Sequence, residues 1–226
     1  MNRLTFLIFT FTIVIIGGAA AWYLVDTRND AFGTSEPTAS TTPTVTDELS
    51  IYTNGTYGFS IFYPEDAEVS YMFDASYHLG SNWRENALPE GVGTPLVAFI
   101  PYSVESENSY PRYFNAMVRI GASTDPAELA RCEKIADEQG ETVLPDIEIG
   151  GRTWKAFSFQ SAGMMQYASG ISYRTLFEGK CIAMEKVRTG ASYREDAPSV
   201  NDVSDEVLDA EYESLAAIVQ SFTFAR

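Results

Sequence analysis

The order of apolar and polar positions divides the chain into three parts. Residues 4–25, inside an N-terminal segment of residues 1–25, form an uncharged apolar run, LTFLIFTFTIVIIGGAAAWYLV. As a helix it would be about 33 Å long, enough to cross a hydrocarbon core of about 30 Å. Residues 26–49 are rich in Thr, Ser and Pro, which predicts a disordered tether. Residues 50–226 alternate in the way a folded domain does, and their number suits one domain.

The apolar run has two interpretations. As a signal anchor it stays in the membrane, with Trp22 and Tyr23 at the interface that amphipathic rings prefer. As a cleavable signal peptide it would be cut near Ala21. We favour the anchor, because apolar residues continue past that point. The expected protein is single-pass, with its N-terminus in the cytoplasm and its C-terminal domain extracytoplasmic, and secretion after cleavage is the alternative.

Charge and cysteine content favour export. The formal net charge is −16, which disfavours nucleic acid or an anionic membrane surface as the partner. Cys132 and Cys181 are the two cysteines, an even number that suits one disulfide in an oxidising compartment. They are too far apart for a C-x-x-C redox motif. We therefore predict a structural disulfide between them.

Alternating apolar residues predict an antiparallel sheet in the C-terminal domain. Asn54-Gly55 is typical of a two-residue type I′ hairpin, Gly150-Gly151 predicts a second tight hairpin, and Glu178-Gly179 predicts a third turn. Residues 78–93 are expected to be irregular. After an opening strand at residues 51–52, further strands are expected at residues 57–63, 69–73, 95–100, 113–120, 146–149, 153–160, 171–177, 181–187 and 222–224.

Two amphipathic helices complete the predicted fold. Asp125-Pro126-Ala127-Glu128 combines an N-cap, a proline at the first helical position and a glutamate three residues after the cap. Gly140 is expected to end this helix. A second helix is predicted from about Ser204 to Gln220, with an apolar stripe of Leu208, Tyr212, Leu215, Val219 and Phe222. The fold class is α+β, an antiparallel sheet flanked by helices.

The two ends of the domain resemble one known family. Tyr52 with the segment YGFSIFYP at residues 57–64, and the terminal helix leading into SFTF at residues 221–224, are similar to the PsbP-like family. The tryptophan usual soon after the Tyr-Pro of such proteins is replaced by Glu-Asp-Ala at residues 65–67. The resemblance implies an antiparallel sheet flanked by helices. It also implies an adaptor rather than an enzyme, because relatives are photosystem II extrinsic subunits or partners of a nuclear transport GTPase.

The inventory of chemical groups predicts no catalytic, cofactor-binding or metal-ligating residue. His78 is the single histidine, and no phosphate-cradling glycine motif is present. A carboxylate-based hydrolase remains an alternative, with Glu65, Asp66 or Asp74 as candidate acids. A Ca²⁺ site is another, although the spacing does not match an EF-hand loop. Its candidate ligands are Asp202, Asp205, Glu206, Asp209, Glu211 and Glu213.

These observations favour a membrane-tethered, non-enzymatic binding or assembly module outside the cytoplasm. Its expected partners are the membrane, through residues 4–25, and an envelope or extracellular protein. Tyr102, Tyr110 and Tyr113 flank a polar loop and are the candidate partner patch, because tyrosine is enriched at interfaces. The alternatives are a secreted small-ligand or calcium-binding domain and the hydrolase.

Overall fold

The computed structural model describes residues 48–75, 78–88, 92–105, 113–135, 140–191 and 204–225. The predicted span at residues 4–25 and the tether up to residue 47 lie outside these ranges, so both stay predictions. None of the helices within these ranges has the length and apolar character that a membrane crossing needs.

The described residues form ten strands and two helices. The strands are β1 (Leu49–Asn54), β2 (Phe59–Pro64), β3 (Glu68–Ser70), β4 (Thr94–Glu105), β5 (Tyr113–Ser123), β6 (Thr142–Ile149), β7 (Arg152–Gly163), β8 (Gln166–Phe177), β9 (Lys180–Ala191) and β10 (Thr223–Phe224). The helices are α1 (Pro126–Arg131) and α2 (Asp205–Gln220).

The strands form two antiparallel sheets. The larger one has the order β3-β4-β5-β9-β8-β7-β6, and the smaller one the order β1-β2-β10. Two-residue turns at Gly150-Gly151 and Glu178-Gly179 have positive φ at both positions, and they join β6 to β7 and β8 to β9. Both turns confirm the sequence prediction. The α+β class is likewise confirmed.

Helix α2 and the smaller sheet cover one face of the larger sheet. Ser204 caps α2 by accepting a hydrogen bond from the Val207 amide, so the predicted start of this helix is confirmed. Phe59 and Phe222 stack at 5.0 Å between their ring centroids and join the smaller sheet to the end of α2. The predicted stripe faces this main core, with Leu208 and Tyr212 partly buried and with Leu215, Val219 and Phe222 buried.

The opposite face of the larger sheet is covered by residues 78–88, here called the covering segment, and by α1. Trp83 of this segment is buried, and its backbone oxygen lies 1.9 Å from where a Cβ at Gly121 of β5 would be. Only glycine allows this close approach. Cys132, directly after α1, forms the predicted disulfide with Cys181 of β9, with 5.6 Å between the Cα atoms.

Two local predictions were wrong, one for the hairpin at Asn54-Gly55 and one for the end of the first helix. Asn54-Gly55 is not a two-residue hairpin, because Asn54 pairs with Phe59 and a four-residue loop lies between them. The Asn54 side chain accepts hydrogen bonds from the Thr56 and Tyr57 amides, which stabilises that loop instead.

Helix α1 begins as predicted, with the Asp125 carboxylate accepting from the amides of Ala127 and Glu128. It ends at Arg131, well before Gly140. The Cys132 amide turns back to the Leu129 carbonyl, and the disulfide ties the chain to β9 at this point. The helix therefore ends at the residue before the disulfide-bonded cysteine.

Candidate binding surface

The face of the smaller sheet that is turned away from the core carries exposed apolar side chains. Leu49, Ile51 and Phe62 are 63%, 56% and 44% exposed, and Ile51 lies opposite Phe62 in the strand register. Alternate residues of a strand point to opposite faces, so Tyr52 and Ile61 point to the core instead. The three exposed side chains form one row on the outer face, here called the apolar row.

Strand β1 is also an open edge. Among the described residues it pairs only with β2, and its register with β2 shows no bulge. Neither strand contains a charged residue (LSIYTN and FSIFYP), although the chain has 15 basic and 31 acidic residues. Natural proteins usually protect an edge strand with charges or bulges. This edge instead offers main-chain hydrogen-bonding groups beside an apolar surface, as a template for an added strand does.

The predicted tyrosine patch is only partly described. Tyr102 is half-buried and packs edge-on against Phe114, with 6.0 Å between ring centroids, and burial raises the pKa of its phenol. Tyr113 begins β5, where its backbone pairs with that of Glu105. Tyr110 lies outside the described residues. The patch therefore stays a prediction, with one of its members contributing to the core.

Two acidic residues of α2 form ion pairs with β9. Asp209 accepts from Arg188 at 2.7 Å, and Glu213 accepts from Lys186 at 3.0 Å. The Lys186 ammonium also lies 4.1 Å from the centre of the Tyr212 ring. Asp202 lies outside the described residues. Two of the proposed calcium ligands thus have cationic partners, which accounts for their position without a metal ion.

A cluster of buried charges lies between the larger sheet and its covering elements. It contains three arginines and four glutamates, here called the buried charge cluster: Arg84, Arg119, Arg174, Glu85, Glu128, Glu141 and Glu185. Six of these side chains are buried, and that of Glu85 is 17% exposed. Arg84 donates to Glu128 at 2.6 Å, and Arg119 donates to Glu185 at 2.7 Å.

The pairs in this cluster connect different elements, and Arg84–Glu128 joins the covering segment to α1. Arg174 of β8 donates to both carboxylate oxygens of Glu141. Glu128 of α1 accepts from Arg84 and also from the Leu88 amide at 2.7 Å. The cluster therefore joins α1 to the covering segment, and Glu185 of β9 joins that segment to the sheet by accepting from the Glu85 amide. Hydrogen bonds to charged groups of this kind are stronger than neutral ones.

The cluster has one more carboxylate than guanidinium groups. Burial raises the pKa of Glu85, and the negative charge of Glu185 raises it further, while Arg119 opposes both effects. Burial also lowers the pKa of Arg84, and the nearby Arg174 lowers it further. Perturbed groups of this kind occur at active sites but also in structural ion-pair networks. Here each of the three arginines donates to a carboxylate within the cluster, which fits the structural role.

The carboxylates proposed for a hydrolase lie elsewhere. Glu65, Asp66 and Asp74 are all exposed, outside the buried charge cluster. His78 is exposed as well, and its Nε2 lies 2.8 Å from the carbonyl oxygen of Gly163. Within the described ranges, no group of three or more His, Cys, Asp or Glu side chains is placed to hold a metal ion.

Comparison with known proteins gives similarity at the level of structure. No family model and no curated protein matches the chain. The structure is similar to cyanobacterial PsbP (CyanoP) from Synechocystis sp. PCC 6803, with a TM-score of 0.38 and 9% identity over 83% of this chain and 99% of that one. It is also similar to LpqN, involved in cell envelope biogenesis of Mycobacterium tuberculosis, with a TM-score of 0.35 and 12% identity over 79% and 91%.

A PsbP protein is thus among the solved structures to which this chain is similar. Because both TM-scores lie below 0.5, the two likenesses carry no inference about function.

Proposed function

We propose that this protein is a membrane-tethered, extracytoplasmic binding module without enzymatic activity. It recognises another envelope protein through the apolar row and the open edge of β1. The observation that carries the proposal is the absence of charge from an exposed apolar surface beside an unprotected strand edge.

The chemistry of this surface favours an extended segment of the partner. An added strand would bond to the main-chain groups of β1, and its alternate side chains would meet Leu49 and Ile51. Full burial of the exposed parts of the apolar row contributes roughly 3 kcal/mol. That contribution corresponds to about a hundredfold in affinity.

The position of β1 in the chain agrees with this role. Leu49 is the last residue of the predicted tether and the first of β1, so the proposed surface belongs to the part of the domain nearest the membrane segment in sequence.

A site-specific crosslinking experiment tests the proposal. A photoreactive residue is placed at Ile51 of the tethered protein in intact cells, and the captured partner is then purified for direct affinity measurement. Ile51→Lys and Phe62→Lys should each weaken binding at least tenfold, because a charge in an apolar contact must be desolvated. Val143→Lys is the matched control, since Val143 is a 60% exposed apolar residue of β6, on the other sheet.

Equal binding by all three lysine variants would contradict the proposed surface. Capture of a second copy of this chain alone would contradict a distinct partner. Placement is tested separately by adding protease to whole cells. Cleavage of the domain in intact cells is expected, and cleavage only after lysis would rule out an extracytoplasmic domain.

A further inference from the structure

The turn between β7 and β8 is made of two methionines. Gly163 pairs with Gln166, so Met164 and Met165 form a two-residue turn, with φ of 49° and 64°. Their side chains are 94% and 45% exposed. Turns with positive φ at both positions normally use Asn-Gly or Gly-Gly, because a Cβ disfavours this backbone region.

This turn is not explained by stability. The left-handed conformation is unfavourable for a long side chain, and exposing two apolar side chains gives no burial in return. Residues held in disfavoured backbone regions are found disproportionately at functional sites. Two exposed thioethers at a hairpin tip therefore indicate a chemical role for these side chains.

The single histidine of the chain lies against the same turn. His78 also has a positive φ, 70°, and its Nε2 lies 2.8 Å from the Gly163 carbonyl oxygen. A carbonyl only accepts hydrogen bonds, so Nε2 must carry the proton and donate it. In the neutral ring this leaves the lone pair on Nδ1, and metal-binding histidines commonly donate their other ring N–H to a carbonyl in the same manner.

The ring is also fixed in place at the base of the turn. A Cβ at Gly163 would lie 3.2 Å from the His78 Cε1 atom, so the imidazole packs directly on the residue before Met164. Methionine has three flexible side-chain torsions and a polarisable sulfur. Both thioethers are therefore on flexible side chains, one and two residues after the glycine that His78 contacts.

We propose that His78, Met164 and Met165 form a binding site for Cu(I). Thioether and imidazole ligands together suit this soft ion, whereas Ca²⁺ and Mg²⁺ require oxygen ligands. Residues 160–169, QSAGMMQYAS, contain no carboxylate. In an oxidising compartment methionine also keeps its ligand sulfur, while paired cysteine thiols would form a disulfide.

Anaerobic titration of the purified full-length chain with Cu(I), in competition with a chromophoric Cu(I) chelator, tests this site. One tightly bound ion per chain is expected. Met164→Leu, Met165→Leu and His78→Gln should each lower the affinity at least tenfold, because each removes one ligand and leaves the side-chain size nearly unchanged. Met72→Leu is the control, since Met72 is 73% exposed and lies in a different loop.

X-ray absorption of the loaded protein gives an independent readout. Both sulfur and nitrogen neighbours of copper are expected, and the sulfur contribution should fall in Met164→Leu. Equal affinity of the wild type and a triple variant would overturn the proposal, as would a spectrum without sulfur neighbours. Zn²⁺ binding as tight as Cu(I) would also overturn it. The site lies at the turn between β7 and β8 and at the start of the covering segment, so its failure leaves the proposed function of β1 and β2 untouched.

Discussion

Replacing Arg119 by methionine tests whether the buried charge cluster holds the covering segment on the sheet. The Arg119 Nε donates to Glu185 at 2.7 Å, and its Nη1 donates to the Gly80 carbonyl at 2.8 Å. Its Nη2 also lies 3.4 Å from a carboxylate oxygen of Glu85. Methionine keeps an apolar stem of similar length and removes every donor. Two carboxylates are then left in a buried site without their cation.

The size of the effect follows from this loss of a partner. Removing one member of a buried ion pair commonly lowers the free energy of unfolding by about 3–5 kcal/mol, because the other charge stays buried and unpaired. We expect a loss in that range for Arg119→Met at pH 7. The loss should be smaller near pH 5, because a carboxylate that takes up a proton no longer carries an unpaired charge. Arg119→Met with Glu185→Gln should lose less than the sum of the single changes.

Urea unfolding followed by far-ultraviolet circular dichroism measures the effect. Arg152→Met is the matched control, because Arg152 is an exposed arginine whose guanidinium lies 4.9 Å from the centre of the Phe177 ring. Loss of that contact should cost no more than about 1 kcal/mol. If Arg119→Met at pH 7 were no more destabilising than this control, the buried charges would not be what holds the covering segment.

Three further predictions concern stability. Reducing the disulfide between Cys132 and Cys181 should lower the free energy of unfolding by about 4 kcal/mol, because the bond closes a loop spanning 49 residues; equal urea midpoints with and without reductant would contradict this. Gly121→Ala should cost about 1–3 kcal/mol, since its Cβ would collide with the covering segment, whereas Gly55→Ala enters open space and is the control in thermal unfolding. The pKa of Glu85 is raised in the folded protein, so its contribution to the free energy of unfolding is fully present below its unfolded pKa of about 4.3. That contribution is lost as the pH rises through the folded pKa. Glu85→Gln should therefore lose less stability than the wild type between pH 4 and 8, and parallel unfolding curves for the two proteins would refute the sign.

Turn chemistry explains where the predicted elements agree with the structure. The turn at Gly150-Gly151 can be predicted from residue type, because glycine readily adopts positive φ at both positions. Met164-Met165 has the same backbone conformation with residues that disfavour it, so nothing in the sequence indicated a hairpin there. Strands β7 and β8 consequently extend further into this turn than their predicted ranges.

The boundary of α1 shows the limit of local signals in another way. Asp125 caps its start by accepting from the amides of Ala127 and Glu128, and Pro126 occupies the first helical position, so both signals are visible in the sequence. Its end at Arg131 coincides with a bond from Cys132 to a residue far along the chain. The pairing of the two cysteines was inferred from their number, but its effect on the helix depends on where β9 lies.

Residue type and spacing were sufficient to predict the strand periodicity, the long helix with its apolar stripe and the disulfide. They did not reveal the buried charge cluster. Arg119 and Arg174 occupy the polar positions of their strands, and alternation states only that such residues face away from the main core. Whether that second face meets water or a covering segment depends on a loop without regular structure, and only the tertiary fold decided it.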